Sequence, residues 1–142
     1  MKILLAVDGS KPSLDAVKLV IEHADWLRQK PQIELVTVHL PVPRLRNMGA
    51  AVSKEQIERY YLEEGEQHLA AAKRLLARSR LPYEAKVLVG PIAETLVRHA
   101  KSARCDLICI GTRGYTGLAR ALIGSVASKV LSISDVPVLL AK

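Results

Sequence analysis

The sequence predicts an α/β fold, an open five-stranded parallel sheet in the order 3-2-1-4-5 with helices on both faces. Three observations carry this. Short apolar runs recur along the chain, as expected of strands covered on both sides. Segments of helical spacing separate them, so the elements alternate as β-α-β-α-β-α-β-α-β. The runs also differ in polarity, which sorts inner strands from edges.

Ile3-Leu4-Leu5-Ala6-Val7 is the first run, a strand over 2–7 that ends at Asp8-Gly9-Ser10. Ser10 has the place of an N-cap and Pro12 that of a first-turn residue, after which Val17, Val20, Ile21, Ala24 and Leu27 recur at helical spacing. The second strand covers 33–40, and the stretch 41–52, which has no clear period, reads as a mobile loop. Ser53 and Gln56 have capping-box spacing. Ile57, Tyr61, Gly65, His68, Ala72 and Leu75 then mark one face of a long helix, in which Gly65 permits close approach to the sheet. A shorter strand over 84–89 begins with polar residues, and Gly90-Pro91 opens a third helix through Ile92, Leu96, Val97 and Ala100. The fourth strand is placed at 105–110, the fourth helix from about Ser125 to Ser134, and the fifth strand at 136–141.

Pro137 lacks an N–H for a ladder and puts the fifth strand at an edge, while the polar start of the third suits the other edge. The first and fourth runs are the most apolar and belong inside. With right-handed crossovers this yields 3-2-1-4-5, an order that reverses direction between strands 1 and 4. Ligands of open α/β sheets bind at such a switch point, outside the carboxyl ends of the strands. Asp8 ends the first strand and Gly111 begins the loop after the fourth, so the two are expected to face one crevice.

A chain of 142 residues suits one domain, residues 1–142, and 49% hydrophobic with 25% charged residues fits a globular protein. No apolar run reaches membrane-spanning length, and Asp8 interrupts the first run too early for a signal peptide, so a cytoplasmic protein with no membrane partner is expected. The net charge of +7 comes without a basic stripe, without Phe and with only 4% aromatic residues, which favours a solvated basic surface attracting small anions over a nucleic-acid partner. Cys105 and Cys109, four apart on the expected strand, would share one face at a separation of about 13 Å, too far to bridge or to share a zinc ion. Buried structural thiols are expected.

The stretch from Gly111 to Ser125 lies between a strand end and a helix start, where unpaired backbone N–H groups and the positive end of the helix dipole favour an anion. Residues without a Cβ let that anion reach the backbone, so a phosphate would fit.

On these residues the chain resembles the universal stress protein family along essentially its whole length. The nucleotide-binding branch carries Gly, two residues, Gly, nine residues, then Gly-Ser or Gly-Thr, here Gly111, Gly114, Gly124 and Ser125. Asp8-Gly9-Ser10 and Asp135-Val136-Pro137-Val138-Leu139-Leu140 also match, while Arg113 stands where many relatives have His. The resemblance implies a Rossmann-like fold of the adenine nucleotide alpha hydrolase type. It implies ATP, with or without Mg, over the switch point, its phosphates held by Gly111, Arg113, Gly114, Gly124, Ser125 and the amide of Val126. Asp8 would approach the ribose, and Ala6, Val7, Leu40 and Ile110 would line the adenine pocket. It further implies a homodimer joined through the last strand, Val136 to Ala141, and an uncovered apolar edge strand supplies a physical motive.

Plainer readings stand beside these. Asp8 serves as a ribose ligand, a metal ligand or a helix cap, and Ser125 as an N-cap, a phosphate ligand or both. Arg113, Arg120, Arg44 and Arg46 contact phosphate or are simply solvated. His39, His23, His68 and His99 read as structural residues. No paired carboxylates, metal-spaced histidines, nucleophile elbow or Walker lysine appears, so neither a catalytic residue nor a metal site is assigned. The expectation is a regulatory or stress-response protein that binds adenine nucleotide and hydrolyses it slowly at best, with occupancy ordering the loops around Arg44 and Arg120. The alternatives are a nucleotide-free interaction module of the same fold and a slow hydrolase or nucleotidyl transferase.

Overall fold

A computed structural model describes residues 1–42, 53–112 and 123–142. Its strands are β1 (Lys2–Ala6), β2 (Gln32–His39), β3 (Tyr83–Val89), β4 (Leu107–Gly111) and β5 (Val138–Ala141), all parallel, in the order β3-β2-β1-β4-β5. Helices α1 (Lys11–Glu22), α2 (Lys54–Ser79), α3 (Ile92–Ser102) and α4 (Ser125–Ile133) connect them. The architecture and strand order are those expected.

Strand pleating divides the core in two. Ile3, Leu5, Ile33, Leu35 and Cys109 point to one face, where α1 and α2 cover them. Leu4, Ala6, Val36, Ile108 and Ile110 point to the other, beneath α3 and α4. The long helix enters on a capping box: Ser53 Oγ accepts the N–H of Gln56, whose Oε1 accepts the N–H of Ser53 at 2.8 Å. Its Gly65 lies so close to β3 that a Cβ there would sit 2.4 Å from Val87 Cγ2, which accounts for the glycine.

Three local readings need correction. Cys105 lies ahead of β4 rather than on it; Arg104 takes a left-handed φ of 54° and the N–H of Cys105 returns to Ala100 O. That turn breaks the alternation, so the two thiols enter opposite core clusters instead of sharing a face. Both are buried and free, and burial pushes Cys109 up to about 12. Helix α1 stops at Glu22: His23 still makes the helical bond of its N–H to Leu19 O, with its Nδ1 donating to the same carbonyl at 2.7 Å, but its φ −107° and ψ 7° leave the helical region. Ala24 and Leu27, expected on that helix, belong instead to a 3₁₀ turn over Ala24–Trp26 and to its C-cap. The fifth strand begins at Val138, since Val136 is held in a turn by Ser134 Oγ; Pro137 O still accepts the N–H of Ile108.

One buried acid went unremarked in the sequence. Glu34 of β2 is wholly buried on the α3 side, where Lys86 Nζ lies 2.6 Å and His99 Nε2 2.9 Å from Oε1. Lys2 Nζ stands 2.8 Å from Oε2, a charge contact rather than an aligned hydrogen bond. Burial alone would raise the pKa of this carboxyl, but the close contact of Lys2, hydrogen bonds from Lys86 and His99 and the charge of Lys86 hold it down at about 2. The cluster ties β1, β2, β3 and α3 together near the amino ends of the strands.

Candidate functional site

At the opposite end of the sheet, β1 and β4 diverge and leave a cavity of about 350 Å³. Its floor and one wall are apolar: Ala6, Val36, Val38 and Ile110 from the strands, Ile92 and Leu96 from α3. Its rim is polar, made of Asp8, Ser13, Thr112 and the start of α4. A slot of this size with one apolar wall and a few convergent polar groups is the usual form of a small-molecule site.

The Asp8 turn is braced from within. Asp8 Oδ1 accepts the N–H of Ser10 at 3.0 Å and its hydroxyl at 2.5 Å, while Ser13 Oγ donates to Ser10 O at 2.9 Å. Ser10, not Asp8, caps α1, its side chain accepting the N–H of Ser13. Gly9 between them has φ +80°, a left-handed conformation that side chains other than glycine rarely take. One carboxylate oxygen therefore sets the turn, and Oδ2 is left on the rim.

Across the cavity, Thr112 O accepts the N–H of Gly124 at 2.6 Å and Thr112 N–H donates to Ala141 O at 2.8 Å. These bonds place the amino end of α4 directly over the carboxyl end of β4. Gly124 is the extended N-cap (φ −68°, ψ 159°), and no side chain among the described residues caps the helix. Ser125, Val126 and Ala127 of the first turn line the cavity, and no side chain among the described residues caps their amides. Ser125 is the first helical residue, so it does not serve as the cap. Gly111 has a packing reason of its own: a Cβ there would stand 2.7 Å from Pro12 O and 2.8 Å from Pro12 C. Its missing side chain lets β4 pass under the start of α1.

Of the residues singled out from the sequence, Ala6, Val7, Asp8, Ile110, Gly111, Gly124, Ser125 and Val126 line this cavity together. Leu40 does not; it follows β2 at 62% exposure, and Val36 and Val38, on the same side of the pleat, occupy the wall. Arg113 and Gly114 lie outside the described residues, as do Arg44, Arg46 and Arg120. Sequence reasoning missed Ser13, Thr112, Ile92 and Leu96. The first two flank features already noted, and the α3 pair lay on an apolar stripe that looked like ordinary core. Among the described residues no group of three or more His, Cys, Asp or Glu side chains is arranged to hold a metal ion, and no helix is long and apolar enough to cross a membrane.

Comparison with known proteins agrees with this architecture. The sequence model of the Universal stress protein family matches residues 1–142. A universal stress protein of Methanocaldococcus jannaschii is 33% identical over 142 residues, 99% of this chain and 81% of its own. Among solved structures, that of hypothetical protein MJ0577 superposes with a TM-score of 0.81 at 26% identity, covering 99% of this chain and 94% of its own. The universal stress protein from Archaeoglobus fulgidus in complex with dAMP shares the fold, with a TM-score of 0.65 at 23% identity over 100% of this chain and 98% of its own.

Proposed function

The chain belongs to the universal stress protein family, and from that premise we propose that it binds an adenine nucleotide, ATP in the first instance, in the cavity between β1 and β4. The observation that carries this reading is the uncapped start of α4 facing the Asp8 turn across an apolar slot. First-turn amides and the positive helix end favour a phosphate, the apolar wall suits a flat base, and Asp8 Oδ2 is a rim acceptor for a ribose hydroxyl. The dAMP complex of the Archaeoglobus fulgidus relative supports the same nucleotide class. A Mg ion on the phosphates would find one carboxylate on the rim, that of Asp8.

Among the described residues, the lining includes no second carboxylate, histidine or lysine to activate a nucleophile. In this reading the role is binding, with turnover slower than about one per second. In this reading the protein is a cytoplasmic homodimer that acts in regulation or stress response. Two free buried thiols suit a reducing compartment. The free edge of β5, with Leu139 at 38% exposure, offers a surface for strand pairing between copies.

Mass spectrometry of the freshly purified, denatured protein tests the nucleotide directly, followed by calorimetric titration with ATP and AMP. A retained adenine nucleotide or saturable binding is expected. Absence of both at millimolar nucleotide would overturn the reading in favour of an interaction module.

A further inference from the structure

Behind the Asp8 turn, on the α1/α2 side of the sheet, two imidazoles lie against each other. His39 closes β2 and His68 sits midway along α2, with ring centroids 5.1 Å apart and planes inclined by 25°. Tyr61, two turns earlier on α2, completes the stack at 6.0 Å from His39, and its hydroxyl accepts the N–H of Val42 at 2.6 Å. His39 Nε2 is sealed from solvent and has no hydrogen-bond partner among the described residues. A buried polar atom left in that state costs free energy in any fold, so its retention calls for a reason.

His68 connects this stack to the site. Its Nδ1 shares a hydrogen bond with Thr37 Oγ1 at 3.4 Å, and it packs directly beneath Gly9. A Cβ on Gly9 would stand 3.3 Å from His68 Cα and 3.4 Å from its Cδ2. Gly9 is the left-handed link between Asp8 and Ser10, so the stack, α2 and the turn bearing the Asp8 carboxylate touch in series.

From this juxtaposition we infer that His68 is a positioning residue for Asp8, and that protonation of His39, stacked on His68, at mildly acidic pH loosens the Asp8 turn and releases nucleotide. The release rests on the nucleotide reading above; the loosening does not. The groups facing His39 are His68, Tyr61 and Glu64 from α2, while β3 offers Val89 and the N–H of Gly90, which donates to His39 O. Burial and the neighbouring His68 lower the pKa of His39, and only the Glu64 charge works the other way. The unfolded chain thus takes the proton more readily than the folded one. Stability drawn from the neutral stack is complete above the ordinary imidazole pKa and is lost as pH falls below it.

The test uses the whole chain. Amide hydrogen exchange at Gly9 and Ser10 is followed by NMR without nucleotide at about pH 7.5 and 5.5, after correction for intrinsic rates. Protection is expected to drop about fivefold on acidification in the wild type and to hold constant in His39→Phe, which keeps an aromatic ring but takes no proton. His39→Gln serves as a second variant if Phe perturbs folding, and His68→Gln, which retains a partner for Thr37, is expected to weaken the response as well. AMP affinity, by calorimetry at the same two pH values, is expected to fall about threefold further in the wild type than in His39→Phe, the titration of the phosphate itself cancelling in the comparison. Equal protection at both pH values in the wild type, or equal pH dependence in wild type and variant, would overturn the inference. If AMP fails to bind at either pH, the nucleotide reading falls and the exchange data still decide whether the stack props the turn.

Discussion

The two ends of the sheet treat their polar groups in opposite ways. Near the amino ends, Glu34 is wholly buried yet meets Lys2, Lys86 and His99, and Asp106 Oδ2 accepts the N–H of Lys2 at 2.6 Å. At the carboxyl ends, no side chain among the described residues caps α4, and one oxygen of Asp8 is left on a rim. Unsatisfied polar groups are tolerable only where solvent or a ligand can supply the missing bond. The amino end holds the strands together, whereas the described polar groups of the carboxyl-end rim are left to solvent or a ligand, which is the basis of the nucleotide reading.

The largest effect that would break this comparison lies at the paired end. Changing Lys2→Met and Lys86→Met together leaves Glu34 with His99 alone, and urea denaturation at neutral pH should show a loss of about 3–5 kcal/mol. A loss below about 1 kcal/mol would mean that the cluster does not hold the sheet. The pH dependence follows in sign. Because the folded carboxyl sits at about 2, below its ordinary 4.5, its contribution is complete above 4.5 and disappears as pH falls through that window. Wild-type stability should slope down there, and the double variant should be flatter.

Next comes Gly111→Ala, whose added carbon meets Pro12 backbone rather than a yielding side chain. It should cost about 1–3 kcal/mol in thermal or urea unfolding and weaken AMP binding as α1 and β4 are pushed apart. Ser125→Pro is a finer probe, since proline suits the first helical position but removes an amide and a hydroxyl. AMP affinity should drop about tenfold while unfolding shifts by less than about 0.5 kcal/mol. If affinity is unchanged, the start of α4 is not a phosphate seat. The smallest effect is expected from Ser10→Ala, about 1 kcal/mol for the lost cap, with an added loss of AMP affinity if the freed Asp8 carboxylate swings out of place.

Much of this was legible before any coordinates. Pro137 and the polar start of β3 sorted the edges, Ser53 and Gln56 marked the long helix, and Gly65 signalled close packing, because each of these is a local rule with a local cause. The features that escaped depend on register. Glu34 stood alone in an apolar strand, but its partners Lys2, Lys86 and His99 are distant in sequence and converge only once the strands are paired. The same holds for the stack of His39 on His68, read from the sequence as two structural residues. The end of α1 was misjudged because the apolar spacing runs on past Glu22, whereas the backbone of His23 leaves the helical region and turns into a 3₁₀ stretch, which apolar spacing does not show. At the cavity, the switch point indicated which strand ends would meet, but the wall stops with β2 itself: Leu40 shares the parity of Val36 and Val38 yet follows the last strand residue, His39, and is exposed.

The strand order also sets a timetable for biosynthesis. β1 leaves the ribosome ahead of the other strands yet lies at the centre, so its β2 side is matched early while its other side waits about a hundred residues for β4. At a translation rate of about 5–20 residues per second, that flank and the apolar side chains meant for α3 and α4 stand uncovered for several seconds. A nascent chain stalled before β4 is thus the species most in need of a chaperone, and the switch point that shapes the cavity closes only when β4 arrives, with β5 alone left to follow.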